Sequence, residues 1–453
     1  MWLTEGSLAD TVSRSLHYQG GSPLFLIVEW VVRRVAGLEE VALRLPSVAG
    51  MAAAACFVYA LGARLCDRWA GALAAGFFVC LPSIAFAASD ARPYAMALAA
   101  LTGSALALVR WMDSRRLRDG AVYAAAVGAT ALLHYLLLIA LAAQLVFVVY
   151  RIRSGYRIGA RTAVPVAGLL VLFLLPAIPT FFRVLGDRGL LSNPFPSSVA
   201  DIVTFLAPSS LLYPVALVVA VAAFVAGTTP TPSAYSRGAV PFFVAWAALP
   251  VVVLYEVSAR TGTNVFVPRY ALMAVPGIAL LAGAGLRRLR HEVVQVAVLG
   301  LACVLAIRYF PTTTHTDEDW SAAAAAERDL VDDASTPVLV LTGFIEASSL
   351  EWLTDPERAD YLNAPAAMYA MEGRLFPAPF SLDETGTAYM DRVAREELLQ
   401  AEEFVLVTRA GDPVKPWLDP LAAEAGYTTT FSGVFGSVLV YEFTRSGDSS
   451  SNT

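Results

Sequence analysis

Apolar residues run in long blocks from residue 46 to residue 309 and then give way to short alternating segments. A lipid hydrocarbon core needs about 20 consecutive apolar residues per helix. On that measure the blocks predict about ten spans, near 46–64, 69–88, 92–111, 120–134, 136–150, 163–182, 208–227, 239–257, 268–286 and 292–309. The fourth and fifth are short and share a turn at His134-Tyr135. Residues 1–45 precede them as an outer loop, with one amphipathic piece, Pro23–Ala36 (PLFLIVEWVVRRVA), too short and too charged to span. Its tryptophan and its Arg33-Arg34 pair suit a helix lying in the membrane interface; the alternative is a helix packed on other helices.

After Phe310 the period changes. DEDWSAAAAAERDLVDD, TAYMDRVAREELLQ and KPWLDPLAAEAGY read as helices, and TPVLVLTG, EEFVLVTR and SGVFGSVLVYEFTR as strands. That alternation predicts a small α/β layer domain over 311–445, with a disordered tail at 446–453. The predicted fold is therefore a polytopic α-helical membrane domain, 46–310, followed by a small α/β domain.

Composition agrees with the spans. The 453 residues are 57% hydrophobic and 15% charged, with a mean hydropathy of +0.60, where a soluble chain carries about 25% charged residues. Charge sidedness orients the bundle, because arginine-rich loops stay in the cytoplasm. One alternating set of loops holds fourteen arginines (64 and 68; 110, 115, 116 and 118; 151, 153, 157 and 161; 237; 287, 288 and 290) and the other holds six. The first set is then inside, and residues 1–45 and 311–453 are outside, in a multi-pass cell-membrane protein. A translocated N-terminal segment without a signal sequence suggests one further span encoded before Met1.

Residues 311–453 hold 25 acidic against 8 basic residues, a net of −17, which makes nucleic acid an improbable partner. The four cysteines, Cys56, Cys66, Cys80 and Cys303, have no metal-type spacing and read as small packing residues.

Polar residues at helix mouths carry the candidate chemistry, because burying them there is costly. Asp90 and Arg92 sit in a tight outer turn, ASDARPY, with Pro93 opening the next helix. Asp90 would accept a proton or hold a divalent metal, unless it only pairs with Arg92 to cap the helix. Glu5 precedes the first span; its plain reading is a solvated carboxylate. His134-Tyr135 marks the turn of the short pair, where a lone histidine is usually a hydrogen-bonded interface residue. Arg269, in VPRYALMAVPG, is placed to clamp a phosphate, or else to snorkel beside an interfacial Tyr270. Carboxylates and arginines gathered at the membrane surface would hold a phosphate whose lipid tail stays in the bilayer, while a carboxylate or metal activates an acceptor hydroxyl. That arrangement predicts an outer-face cavity lined by Glu5, Asp90, Arg92 and Arg269.

Three stretches resemble the GT-C glycosyltransferases of the protein-mannosyltransferase and aminoarabinose-transferase type. They are SPLFLIVEWVVRRVAGLEEVALRLPSVAG, ASDARPYAMALAAL and VPRYALMAVPGIALLAGAGL. The resemblance covers roughly residues 1–310 and implies transfer, with inversion, of a sugar from a polyprenyl-phosphate donor to a glycan, lipid or protein acceptor. It also implies a base or metal-associated acid in the first outer loop, often in an Asp-Glu pair. Here that pair falls on Thr4-Glu5, so Glu5 or Asp90 takes the role, or the chain is inactive. Carried over with them, Arg92, Tyr94, His134, Tyr135, Arg269 and Tyr270 are the substrate-binding candidates, and Asp90 and Glu5 the ligands for any divalent metal. Two other readings stand beside this one, a transporter of envelope precursors and a non-catalytic scaffold. Transport is disfavoured because charge is scarce at span centres and no internal repeat appears.

Overall fold

The computed structural model describes residues 2–17, 22–157, 159–186, 197–206, 208–229, 236, 238–261, 263–308, 318–331 and 333–446. The expected tail, save Ser446, lies outside the described residues. The chain divides into two compact units, Gly6–Pro311, and Met1–Glu5 together with Thr312–Thr453. The first five residues therefore cluster with the C-terminal unit and not with residues 6–45.

The first unit is a helical bundle. In order it contains α1 (Leu8–His17), α2 (Pro23–Ala36), α3 (Glu40–Leu65), α4 (Arg68–Cys80), α5 (Pro82–Ser89), α6 (Tyr94–Ser114), α7 (Leu117–His134), α8 (Leu141–Arg153), α9 (Ala160–Leu174), α10 (Ile178–Gly186), α11 (Val199–Leu206), α12 (Ser209–Ala226), α13 (Ala239–Thr261), α14 (Val275–Leu286) and α15 (Glu292–Ile307). Among the described residues, six helical runs are long and apolar enough to cross a membrane, or eight if each of two bent pairs is one span. These make a multi-pass membrane protein. The number falls short of the ten expected for two reasons. α15 has only 16 residues, and the expected fourth and fifth spans form one 37-residue run, Leu117–Arg153.

The chain nevertheless turns within that run. His134 has an extended backbone (φ −163°, ψ 97°), and a 3-10 stretch, Tyr135–Ala140, follows it. α8 then heads back along α6: Gln144 donates to Ser104 at 2.8 Å, and Arg151 reaches Asp113 at 3.3 Å. At the other end of α6, Tyr94 meets His134, their ring centroids 5.1 Å apart. α7 and α8 thus flank α6, and both have one end near Asp113. Arg64 also pairs with Asp113 (3.0 Å), and Arg287 pairs with Asp67 (3.1 Å). Arg64, Arg151 and Arg287, all from the richer loop set, lie at this end of the bundle, opposite the one that carries Asp90.

Small residues let the helices approach, as membrane packing requires. A Cβ on Gly283 would lie 2.6 Å from both Ala70 O and Ala74 N, and one on Gly71 would lie 2.5 Å from Tyr59 O. α4 is therefore in backbone contact with α3 on one side and α14 on the other. Cys80 and Cys303 form a disulfide between α4 and α15, with Cα atoms 5.1 Å apart. This corrects the reading of all four cysteines as packing residues: Cys56 and Cys66 are free thiols, and of these only Cys66 is buried.

The C-terminal unit is a mixed α/β layer. Its elements are α16 (Trp320–Arg328), β1 (Pro337–Val340), α17 (Leu350–Thr354), α18 (Pro356–Leu362), α19 (Ala364–Met368), β2 (Arg374–Pro377), α20 (Glu384–Glu396), β3 (Glu403–Arg409), α21 (Val414–Glu424), β4 (Tyr427–Phe435) and β5 (Val438–Arg445). The sheet order is β2-β1-β3-β5-β4, with the first three strands parallel and the last two antiparallel. β1 and the core of β3 are buried on both faces, which is why they read as continuous apolar runs. One face packs Phe404 on Phe443 (centroids 4.5 Å apart) beneath α20 and α21; the other packs Val338, Val405 and Val440 against Trp320 and Ala323 of α16. Two details differ from expectation. β2 was not anticipated, and the final strand is a hairpin, β4–β5, turned at Gly436-Ser437 with Gly436 at φ 65°.

Candidate functional site

Asp90 follows α5 directly. Its N–H donates to Phe86 O (3.1 Å), and Arg92 N–H donates to Asp90 O (2.8 Å), closing the turn. The side chains pair at 3.5 Å, with Arg92 56% exposed and Asp90 24% exposed. An ion pair this open is worth little by itself. α3 fixes the turn from outside, as Ser47 Oγ donates to Arg92 O at 3.2 Å. Burial raises the Asp90 carboxyl above its ordinary value, and the positive charges of Arg92, Arg44 and Arg269 partly offset that. Three cations therefore act on one carboxylate, of which Arg92 pairs with it directly and Arg44 also pairs with Glu40 at 3.4 Å.

Arg269 is delivered by a 3-10 stretch, Pro268–Ala274. Trp246 Nε1 of α13 donates to Met273 O (2.8 Å), and Ser258 Oγ accepts the N–H groups of Val265 and Phe266 (2.9 and 2.8 Å), so both sides of the stretch are pinned. The guanidinium lies over Tyr270, 5.3 Å from the ring centroid. Its Nε is buried and finds no hydrogen-bond partner among the described residues. The guanidinium also hydrogen-bonds the Tyr270 side chain, so Nε is the donor it keeps available.

His134 closes the cluster inward. Tyr94, Tyr270 and Tyr135 surround its ring at 5.1, 5.5 and 5.9 Å. Its Nδ1 is also buried without a partner among the described residues. Arg269 is near enough for its charge to act on His134, Tyr94 and Asp90 alike, and Arg183 acts on Tyr135. The structure thus brings together Asp90, Arg92, Tyr94, His134, Tyr135, Arg269 and Tyr270, drawn from three separate parts of the chain. Arg44, Ser47 and Arg183 were not among the candidates. Arg44 and Ser47 share one face of α3 at i, i+3 within LRLPS, the spacing that would have signalled them.

Glu5 belongs to the other unit. It is exposed and follows a 3-10 turn, Trp2–Thr4, with its N–H donating to Trp2 O at 3.2 Å. In the bundle, Gly6 O accepts from Arg34 (2.6 Å) and Trp30 (3.2 Å) of α2. The surroundings of Asp90 do not suit a divalent cation, since the charges nearest it are guanidinium groups. Among the described residues, no three His, Cys, Asp or Glu side chains gather as a metal group.

A groove of about 410 Å³ lies between α2, α3 and α6, and its walls are apolar: Val28 and Val32 of α2, Leu45 and Pro46 of α3, and Met96 and Ala99 of α6. None of Asp90, Arg92 and Arg269 lines it.

The sequence model of the dolichyl-phosphate-mannose-protein mannosyltransferase family matches residues 21–182. That stretch includes Asp90, Arg92, Tyr94, His134 and Tyr135. Among solved structures, ArnT from Cupriavidus metallidurans is similar in its apo state with a TM-score of 0.54 at 11% identity, over 93% of this chain and 87% of that one. The same enzyme bound to undecaprenyl phosphate gives 0.53 at 12% identity with the same coverage. The apo oligosaccharyltransferase of Archaeoglobus fulgidus gives 0.49 at 13%, over 95% of this chain and 67% of that one. No curated protein matches the chain in sequence. The chain therefore has the fold of ArnT over most of its length, and the family model matches the part of it that carries α2 to α9.

Proposed function

We propose that this chain is a membrane glycosyltransferase that moves a sugar from a polyprenyl-phosphate donor, with inversion, to a glycan, lipid or protein acceptor outside the cytoplasm. The observation that carries the reading is the orphaned Nε of Arg269, buried beside a second orphan, Nδ1 of His134, at the end of the bundle where Asp90 and Arg92 turn. A guanidinium fork there suits a phosphate. The apolar groove between α2, α3 and α6 suits the first isoprene units of its tail. The ArnT structure with undecaprenyl phosphate supports this class of donor in a protein of the same fold.

The chemistry follows from these placements. The acceptor hydroxyl attacks the anomeric carbon on the face opposite the phosphate. The bond from that carbon to the phosphate oxygen breaks, and its electron pair stays on the phosphate. Arg269 and Arg92, with Arg44 behind them, stabilise the charge that develops there. A carboxylate takes the hydroxyl proton. Asp90 is one candidate for that base and Glu5 the other. His134 and its three tyrosines offer hydrogen-bonding edges and ring faces to the sugar. No step is assigned to a metal.

The test is a transfer assay in membranes with a panel of radiolabelled polyprenyl-phosphate sugars. Asp90→Asn and Arg269→Ala should each cut transfer at least about 100-fold, the scale of losing one electrostatic contact in such a site. Equal transfer by wild type and both variants would remove this site from the reaction.

A further inference from the structure

We infer that the C-terminal sheet binds a basic polypeptide segment, taken up as an added strand along β4. An open sheet edge is a template for another chain, and proteins usually blunt it with short strands, proline or charge. The β2 edge follows that rule, being four residues long and ending in Pro377. The β4 edge does not. Tyr427–Phe435 has nine residues, no proline and no charge, and is rich in the threonine and aromatic residues that favour strands. Thr428, Thr429 and Thr430 are exposed, Phe431 is 53% exposed and Val434 60%.

Register decides which backbone groups the edge offers. Ser446 N–H donates to Gly426 O at 2.8 Å, and in an antiparallel ladder every second residue bonds across. Thr428, opposite Thr444, and Thr430, opposite Glu442, therefore bond to β5. Thr429 and Phe431 turn their N–H and C=O groups outward, where no partner occurs among the described residues. The hairpin end of the edge is closed already, since Asp319 N–H donates to Phe435 O at 3.1 Å. A bulge between Phe431 and Gly433 interrupts the ladder, so the open stretch is residues 427–431.

Charge selects the occupant. Residues 311–453 hold 25 acidic against 8 basic side chains. The cations beside β5 are engaged: Lys415 with Asp419 at 2.6 Å, Arg409 with Glu318, and Arg445 with Leu399 O at 2.8 Å. Two copies of so acidic a unit repel each other edge to edge, whereas a lysine-rich segment is drawn in. The half-exposed ring of Phe431, packed on Tyr441 at 5.1 Å, gives an incoming lysine a face to lie on. Main-chain bonds to Thr429 and Phe431 then supply affinity, and the alternate side chains supply preference.

The test uses the full chain in phosphatidylcholine nanodiscs and peptides of about ten residues, enough to span the open stretch. One alternates lysine with valine, one alternates glutamate with valine, and one is the lysine peptide N-methylated at every residue, so that neither of its edges can donate. Residue-resolved amide exchange is read with and without peptide. The lysine peptide should slow exchange at Thr429 and Phe431 at least about tenfold and leave Thr428 and Thr430 unchanged. The other two peptides should bind at least about tenfold more weakly. Thr429→Pro removes an outward N–H without breaking a bond to β5, and should weaken the lysine peptide by a similar factor. Where that variant melts below the wild type, Thr429→Lys decides instead, because it keeps the backbone and repels the peptide; binding equal to wild type refutes the site. Equal binding of the N-methylated peptide, or protection elsewhere in the unit with Thr429 and Phe431 unchanged, overturns the inference in favour of general attraction to an acidic surface. Protection of Thr429 and Phe431 that grows with protein concentration and needs no peptide makes a second copy the occupant, and overturns it too.

Discussion

Replacing Arg269 by alanine tests the phosphate grip at its strongest point. The guanidinium is pinned from both sides of its 3-10 stretch, lies over Tyr270, and keeps a buried Nε that nothing among the described residues accepts. A charge-assisted hydrogen bond of this kind contributes about 1.5–3 kcal/mol, so its loss should weaken donor binding roughly 10- to 150-fold. Arg269→Lys keeps the charge but not the planar fork, and should fall between wild type and alanine. The assay is equilibrium binding of a sugar-free polyprenyl phosphate to the protein in nanodiscs, with Asp113→Asn, at the opposite end of the bundle, as the control that should bind like wild type. The same substitution removes one of the three cations that offset the burial of Asp90. The Asp90 carboxyl should then titrate still higher. If it is the base, the acid limb of the transfer profile moves to higher pH, because the ionised form is needed. Binding within twofold of wild type, in a variant that melts at the wild-type temperature, would refute the assignment.

Three other outcomes are expected. Glu327 is fully buried in the C-terminal unit with Oε1 unpartnered, and burial pushes its carboxyl from 4.5 up to about 7. The contribution of this one group is then full below pH 4.5, and at most about 3 kcal/mol of it is lost as pH rises through 7; Glu327→Gln should flatten that part of the loss in a pH series of hydrogen-exchange protection, and an unchanged slope would count against it. Gly283→Val should lower the melting temperature by an amount equal to about 1–3 kcal/mol or more, because the new Cβ meets the backbone of α4. Alkylation of the denatured, unreduced protein should label two cysteines, rising to four after reduction, since Cys80 and Cys303 are bonded; four labels at the outset would show that they are not.

Much of the fold was legible because periodicity and composition are local. The helix over Pro23–Ala36 has the bounds its amphipathic pattern implies, and β1 and β3 were visible as apolar runs between turn residues. What escaped depended on distance or on brevity. β2 is four residues at the sheet edge ending in proline, too short to leave a pattern. The Gly436-Ser437 hairpin was hidden inside one apolar-looking stretch, although a two-residue glycine turn is a known hairpin signal. Cys80 and Cys303 lie 223 residues apart, and no local pattern pairs them. For the candidate site, residue type at a helix mouth was enough to single out Asp90, Arg92, His134 and Arg269, residues that the bundle places near one another. It did not show that three tyrosines would enclose His134, nor that Arg44 would act on Asp90, since both depend on how α3, α6, α7 and the Pro268–Ala274 stretch pack together.

The central claim is that the helix mouths at Asp90 and Arg269 form one receptor for a bilayer-anchored phosphate. The most direct measurement is a cryo-EM structure of the chain in nanodiscs with a polyprenyl phosphate. The account predicts phosphate density within hydrogen-bonding distance of Arg269 Nε, with the isoprene chain running along the groove between α2, α3 and α6. Phosphate bound elsewhere on the bundle, with Arg269 Nε still unpartnered, would contradict it.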